Sequence, residues 1–443
     1  MTELDAVLAA ALRNSGPAAR ILVAYSGGMD SHVLLHLLWR RRGPEPLLAL
    51  HVNHGLSPRA DAWEAHCRRV CAALGVPCRS ERVTVVSHPQ GPEAGARAAR
   101  YAVFTGQLQG GDLLVFGHHA DDQAETLLYR LLRTGVAKGM PATRTLGRGR
   151  LLRPLLAVPR AALADYAARH GLDWVEDESN AHLDFDRNYL RRRVLPALTA
   201  RWPDAVVRLR RAADQSRAAG ELSHDLAAID LAGADERPER VGCSLSLARL
   251  AALSPHRQRN LLRHWHPPGA SAPEPGARRL DALLSDLIGA APDAAPQVDW
   301  PGGQWRRFRD RLYLLPAGWG AAPAPDRGPW AWSPETPLAL PDGAVLSARS
   351  VLGRGWRGNL ADGALEVRYR RGGERVRPVG RRASNTLKKV LQEQGIEPWL
   401  RDRLPLIECA GQLVAVGDLF VCETAAARSG ERGWLPVWRA PDR

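Results

Sequence analysis

The chain has 443 residues, 45% of them hydrophobic, which is enough for two or three domains with cores of their own and excludes a disordered protein. Its formal net charge of +14 points to a polyanionic partner, discounted for an Ala-, Arg-, Gly- and Pro-rich composition that raises arginine everywhere. No apolar stretch approaches the roughly 20 residues needed to cross a bilayer, and six scattered cysteines are no disulfide framework, so a cytoplasmic protein without membrane contact is expected.

The opening MTELDAVLAAALRNSG has two early acids and no basic run, so it reads as a helix and not as a signal peptide. The run Ile21 to Tyr25 has the length and branching of a buried strand, and Val33, Leu34, Leu37 and Leu38 recur at helical spacing. Between them lies Ser26-Gly27-Gly28-Met29-Asp30-Ser31. A glycine turn that opens a helix presents unpaired N–H groups at the positive end of the dipole, and Gly27 and Gly28 let a phosphate approach the backbone. Asp30 is out of place in a pure anion site unless it holds a Mg2+ ion that bridges the phosphates. On the glycines alone an ordinary helix cap is the better reading; strand, helix and Asp30 in register favour the phosphate site.

Further strands are expected at Leu47–Val52 and Leu113–Gly117, with helices near Ala60–Leu74, Glu93–Gln107 and Ala120–Leu132. This alternation predicts a parallel sheet covered by helices, with ligands at the C-terminal strand ends where His51, Asn53, His54, Gly117, His118 and His119 fall. Cys67, Cys71 and Cys78 lack a histidine pair at finger spacing and read as buried thiols. Glu93, Arg97 and Tyr101 share a helix face. Either Glu93 and Arg97 form a solvated ion pair, or Arg97 reaches an adenylate or a carboxylate. In GHHADDQAET, Gly117–Thr126, the residues His119, Asp122 and Glu125 recur every third position and point one way. Acids in a first helical turn are ordinary dipole partners; two histidines just before them at a strand end shift the balance to a site.

After Pro159 the pattern is helical to about Leu287, with dense arginines at Arg187–Arg193 and Arg208–Arg211. From Gly289 to Pro341 prolines, glycines and tryptophans mix linker with short strands. A compact unit then opens at Arg368–Pro378, with a helix at Asn385–Glu393 and strands at Pro405–Glu408 and Leu413–Val416. The expected domains are 1–217, 218–350 and 351–443, namely a parallel-sheet α/β domain, a helical and linker middle domain, and a small mixed α/β C-terminal domain.

The hexapeptide lacks a Walker ending and resembles the pyrophosphate-binding loop of the ATP pyrophosphatase superfamily, which implies adenylation of an oxygen. HVNHGL at His51–Leu56, EAGARAARY at Glu93–Tyr101, GHHADDQAET, LLRPLL at Leu151–Leu156, VEDESNAHLDFDRNYLRRRVLP at Val175–Pro196 and TLKKVLQEQGIEPWLRDRLPLI at Thr386–Ile407 follow in order. Together they are similar to the tRNA(Ile)-lysidine synthase family. The resemblance implies a Rossmann-like adenine nucleotide alpha-hydrolase fold and a ligase that joins free L-lysine to the wobble cytidine of a CAU anticodon in tRNA(Ile). One departure is the loop Arg133–Met140, shorter and less glycine-rich than the family pattern.

The resemblance also implies site roles. Ser26–Ser31 bind ATP and Asp30 binds Mg2+, Arg97 and His119 act at the adenylate, and Asp122 and Glu125 hold the lysine amine or a metal. The arginine density adds Arg187, Arg191, Arg192, Arg370, Arg371 and Arg377, with Lys388 and Lys389, as tRNA contacts. A homodimer is compatible with this reading. A tRNA sulfur transferase is disfavoured because no C-x-x-C occurs, and a non-catalytic RNA binder because Ser26, Asp30, His119 and Asp122 are intact.

Overall fold

The computed structural model describes residues 2–86, 91–176, 178, 183–266, 275–288, 296–319, 327–358, 360 and 364–441. It divides into two compact units, Met1–Glu221 and Leu222–Arg443. The boundary expected after residue 217 falls inside the helix Ala205–Gly233. Among the described residues no helix is long and apolar enough to cross a membrane.

In the first unit α1 (Glu3–Ser15), capped reciprocally by Thr2 and Asp5, leads into β1 (Ile21–Ala24). The remaining elements follow the expected alternation: α2 (Met29–Arg41), β2 (Leu47–Asn53), α3 (Ala60–Leu74), β3 (Cys78–Arg82), α4 (Pro92–Gln107), β4 (Leu113–Val115) and α5 (Ala120–Thr134). A hairpin of β5 (Thr143–Leu146) and β6 (Gly149–Leu152), α6 (Arg160–Arg169) and a run of helical turns from Asp186 to Arg201 complete it.

The strand order is β3-β2-β1-β4-β6-β5. All neighbours are parallel except β5, which pairs antiparallel with β6 at the edge. Ile21 and Val23 pack with Leu8, Val33, Leu37 and Leu163, whereas Leu22 packs with Leu50, Phe104, Leu114 and Leu151. One strand thus feeds two cores, which is why its residues read as a continuous apolar run. Each fully buried side chain of this kind contributes about 1.5–3 kcal/mol.

The order reverses between β1 and β4, and a crevice opens at such a switch point because the two connections leave in opposite directions. The segments that follow these strands are Ser26–Ser31 and Gly117–Asp122. A Cβ on Gly117 would sit 2.6 Å from the Asp30 carbonyl oxygen and 3.1 Å from the Ser31 nitrogen. The absence of that carbon lets the two chain segments touch.

In the second unit, short helices at Leu247–Ala251, Pro255–His264 and Ala277–Ala282 answer the helical expectation. The same region carries a five-stranded antiparallel sheet, Arg237–Pro238, Cys243–Ser246, Arg311–Leu315, Gly303–Phe308 and Gln297–Trp300 in spatial order. Trp300 stacks on Trp305 at 3.7 Å in its core. Residues 330–439 build further antiparallel sheets of five and four strands around a second core that includes Trp356, Leu406 and Val416. The expected C-terminal helix is Leu387–Glu393, and the expected strands are Leu406–Cys409 and Gln412–Val416.

Gly117→Ala should destabilise the first unit by about 1–3 kcal/mol through overpacking against backbone and weaken nucleotide binding with it. Thermal unfolding and ATP titration of the full chain measure both, and unchanged values would remove the close approach from the account.

Candidate active site

Three serine and glycine contacts hold the turn after β1. The Ser26 amide donates to Ser31 Oγ at 3.2 Å, the Ser31 hydroxyl donates to the Gly28 carbonyl at 2.9 Å, and the Gly28 amide donates to Ser26 Oγ at 3.3 Å. Gly27 has φ +85°, and a Cβ there would meet Cys67 Sγ at 2.9 Å and Val175 Cγ2 at 3.0 Å. Its carbonyl accepts from the Val175 amide at 3.0 Å. Met29 and Asp30 open α2, so their N–H groups have no acceptor within the helix and are left available to an anion.

Asp30 Oδ2 lies 3.5 Å from His119 Nε2, while its Oδ1 is buried without a hydrogen-bond partner. A buried carboxylate oxygen left unpaired costs free energy until a donor or cation satisfies it. Among the described residues no group of three or more His, Cys, Asp or Glu side chains forms a metal cage. An unpaired carboxylate beside anion-binding amides fits Mg2+, which binds through one or two carboxylates and the phosphates it accompanies.

His119 caps α5 and is almost fully buried among acids. Its Nδ1 is 3.6 Å from Asp121 Oδ2, and its Nε2 is 3.5 Å from both Asp30 Oδ2 and Asp122 Oδ2. Burial opposes the imidazolium, but Asp121, Asp30 and Asp122 outweigh it and push the pKa up to about 10. The Asp122 amide approaches Nδ1 at 3.4 Å; that contact belongs to the neutral ring, and in the cation Nδ1–H turns to Asp121. His118 behaves in the opposite way. Burial pushes its pKa down to about 3, its ring stacks on Phe116 at 5.2 Å, and Arg153 Nε donates to its Nδ1 at 3.1 Å. The proton of neutral His118 therefore resides on Nε2. The surroundings thus shift the two neighbouring histidines in opposite directions.

Arg191 spans Glu125 and Asp122. Its Nε donates to Glu125 Oε1 at 2.6 Å, and its Nη2 donates to Glu125 Oε2 at 2.9 Å and Asp122 Oδ1 at 3.1 Å. Burial raises the Glu125 pKa against the pull of Arg191. Arg97 lies over the Tyr101 ring at 4.9 Å, whereas the Glu93 side chain lies outside the described residues, as do Asp177 and Ser179–His182 of the motif that begins at Val175. The loop Arg133–Met140 is tied down by Arg130, which donates to the Lys138 and Gly139 carbonyls, and by paired hydrogen bonds between Gln123 and Met140.

Among the expected RNA contacts, Arg187 lies over Tyr129 at 5.5 Å, and Arg192, Arg371, Arg377, Lys388 and Lys389 are exposed. Arg371 also donates to the Gly328 carbonyl at 2.9 Å. Arg370 meets Asp402 at 3.2 Å and Glu374 at 3.7 Å, and Arg368 meets Glu408 and Glu374. Part of that cation density is thus neutralised inside the unit. His51 and Asn53 serve the framework: His51 Nδ1 contacts the Tyr25 carbonyl, and Asn53 bonds Asp61, Glu64 and the Gly55 amide. Cys67 and Cys71 are buried free thiols, and burial pushes the Cys67 pKa up to about 12. Reasoning from the sequence alone left Arg153 and Asp121 without a role. The available signal was a single arginine inside the apolar run LLRPLL directly after a strand.

Three family models match the chain: the PP-loop domain over residues 2–198, the TilS substrate binding domain over 245–313 and the TilS substrate C-terminal domain over 365–438. A protein of Alkalilimnicola ehrlichii named tRNA(Ile)-lysidine synthase is 46% identical over 436 residues, covering 94% of this chain and 93% of the relative. Relatives of the same name from Pseudomonas aeruginosa and Coxiella burnetii are 44% and 42% identical. They cover 95% and 93% of this chain, and 93% and 91% of their own lengths. The chain belongs to the tRNA(Ile)-lysidine synthase family. As a member it is a ligase with an ATP-binding PP-loop domain, and the resemblance carried by its motifs holds over nearly its whole length.

A folded pKa above the free value means that the His119 cluster contributes its full stability below about pH 6.5. The contribution is lost as pH rises towards about 10. An NMR titration should find the His119 ring still protonated at pH 8, and alkaline destabilisation should be shallower in His119→Gln. A ring that titrates near 6.5 would contradict the cluster.

Proposed function

We propose that the chain joins free L-lysine to the wobble cytidine of tRNA(Ile) with a CAU anticodon, through an adenylated cytidine, releasing pyrophosphate and AMP. The product, lysidine, shifts codon reading to AUA and aminoacylation from methionine to isoleucine. The observation that carries this reading is the convergence, at one switch point, of an anion-binding turn, the unpaired oxygen of Asp30 and the cationic His119.

Cytosine's carbonyl carbon is a poor electrophile, and converting its oxygen into part of an AMP leaving group solves that. The oxygen attacks the α-phosphorus and pyrophosphate leaves into the Gly27–Ser31 turn, where the helix-opening amides of Met29 and Asp30 lack an acceptor within α2. His119 presents a buried positive charge where phosphate charge collects, and Arg97 lies on the neighbouring helix α4. Asp30 would hold Mg2+, which when bound neutralises phosphate charge. In the second step the lysine ε-amine attacks the same carbon and AMP departs with the oxygen.

The amine arrives as an ammonium and must give up a proton before it attacks, and Asp122 with Glu125 is the acidic pair suited to hold it and to take that proton. The Arg191 guanidinium occupies that pair in the structure, which supports the assignment because it shows the two carboxylates accepting a cation. Exposed Arg192, Arg371, Arg377, Lys388 and Lys389 supply phosphate contacts of the kind that position RNA.

Incubation with ATP, labelled lysine and total bacterial tRNA should place label in tRNA with stoichiometric AMP. Asp30→Asn should reduce AMP formation about a hundredfold or more, and Glu125→Ala should raise the KM for lysine more than that for ATP. Binding of tRNA without label or AMP release would defeat the reading.

A further inference from the structure

Tyr101 is half-buried on α4, away from the pyrophosphate turn, and no step above uses it. Its ring stacks on Phe116 at 6.0 Å with 17° between the planes, and Phe116 in turn stacks on His118. Three guanidinium groups gather around this phenol. Arg97 lies 4.9 Å over the ring with Nη2 at 3.4 Å from Oη, Arg144 lies 5.2 Å over the ring, and Arg153 Nη2 approaches Oη at 3.5 Å. Among the described residues no carboxylate stands within ion-pair distance of any of the three.

Among the described residues the other buried arginine, Arg311, is paired with Asp235 at 2.9 Å. Arg153 is only 3% exposed and has carbonyl, imidazole and phenol partners but no countercharge. Cations assembled without a countercharge at strand ends are costly, and the cost is recovered when an anion enters. Planar forks match phosphate oxygens two at a time, and several positive charges favour a phosphoryl group over a single carboxylate. Arg153 directly follows β6 and Arg144 is exposed, so the cluster leads from the strand ends to solvent.

We propose that Tyr101 is a positioning residue that assembles Arg97, Arg144 and Arg153 into a cradle for a substrate phosphoryl group, borne by the nucleotide or by the RNA backbone. Its ring carries two guanidinium groups through their π-facing contact and its hydroxyl meets two of the three. The aromatic stack through Phe116 ties the cradle to His118. Burial lowers the Arg153 pKa, and Arg144 and Arg97 lower it further, in keeping with a site that awaits negative charge. This assignment rests on the ligase reading for the identity of the two substrates.

The test measures equilibrium binding of ATP and of tRNA separately, and kcat and KM for lysine ligation, in the full chain. Tyr101→Leu should weaken one of the two affinities about tenfold, Tyr101→Phe should recover part of the loss, and Tyr101→Leu combined with Arg144→Gln should be less than additive. A loss confined to ATP assigns the phosphoryl group to the nucleotide. A loss confined to tRNA, with a shallower salt dependence, assigns it to the RNA backbone. If wild-type protein ligates no lysine but these binding losses appear, the ligase reading fails and the cradle stands. Unchanged affinities for both substrates, or full additivity, overturn the cradle. Should Tyr101→Leu fail to fold, Arg144→Gln at its exposed position decides alone, and two unchanged affinities overturn the proposal.

Discussion

The contact between Gly117 and the Asp30 carbonyl is the constraint on which the site depends. The connections after the parallel strands β1 and β4 leave in opposite directions, yet the segments that begin them touch where Gly117 meets the Asp30 carbonyl. Only a residue without a Cβ allows that approach, and it sets the register of everything that follows on both sides. Asp30 and His119 lie 3.5 Å apart because Gly117 lets the segments that open α2 and α5 come this close.

Charge is distributed around that contact in two unlike ways. On the α5 side the acids outnumber the bases, so His119 is held as a cation and Arg191 is drawn onto Glu125 and Asp122. On the α4 side the cations gather around Tyr101 with no carboxylate within ion-pair distance among the described residues. The histidine pair marks the seam. Burial, with a smaller push from Arg153, lowers the His118 pKa, whereas at its neighbour Asp121, Asp30 and Asp122 outweigh burial and raise it.

The C-terminal cations qualify the argument from charge density. Arg368 and Arg370 lie in a run dense enough to suggest a polyanion, yet Glu374, Glu408 and Asp402 neutralise both within the unit. Exposed Arg371, Arg377, Lys388 and Lys389 keep their charge available to solvent. A count of arginines in a sequence window cannot separate these two populations, because beside Glu374 within the window the compensating acids Glu408 and Asp402 come from other parts of the unit.

The sequence by itself determined the local chemistry and the order of elements. A branched apolar run, two glycines and a periodic helix are short-range signals, and β1, the turn and α2 followed from them within a residue or two. The alternation of strands and helices likewise carried the parallel sheet, and the ordered motifs carried the family. What only the tertiary structure decided depends on residues far apart in the chain. Burial by the fold, with Arg153 against the ring, pushes the His118 pKa down, and Asp30, 89 positions earlier in the chain, joins the local Asp121 and Asp122 in pushing that of His119 up. The pairing of Arg191 with Glu125 joins positions 66 apart, and the strand Arg311–Leu315 of the Trp-rich segment pairs with Cys243–Ser246 from well before that segment. Short-range patterns report backbone geometry and burial, whereas the electrostatic environment of a side chain is set by whichever distant groups the fold brings against it.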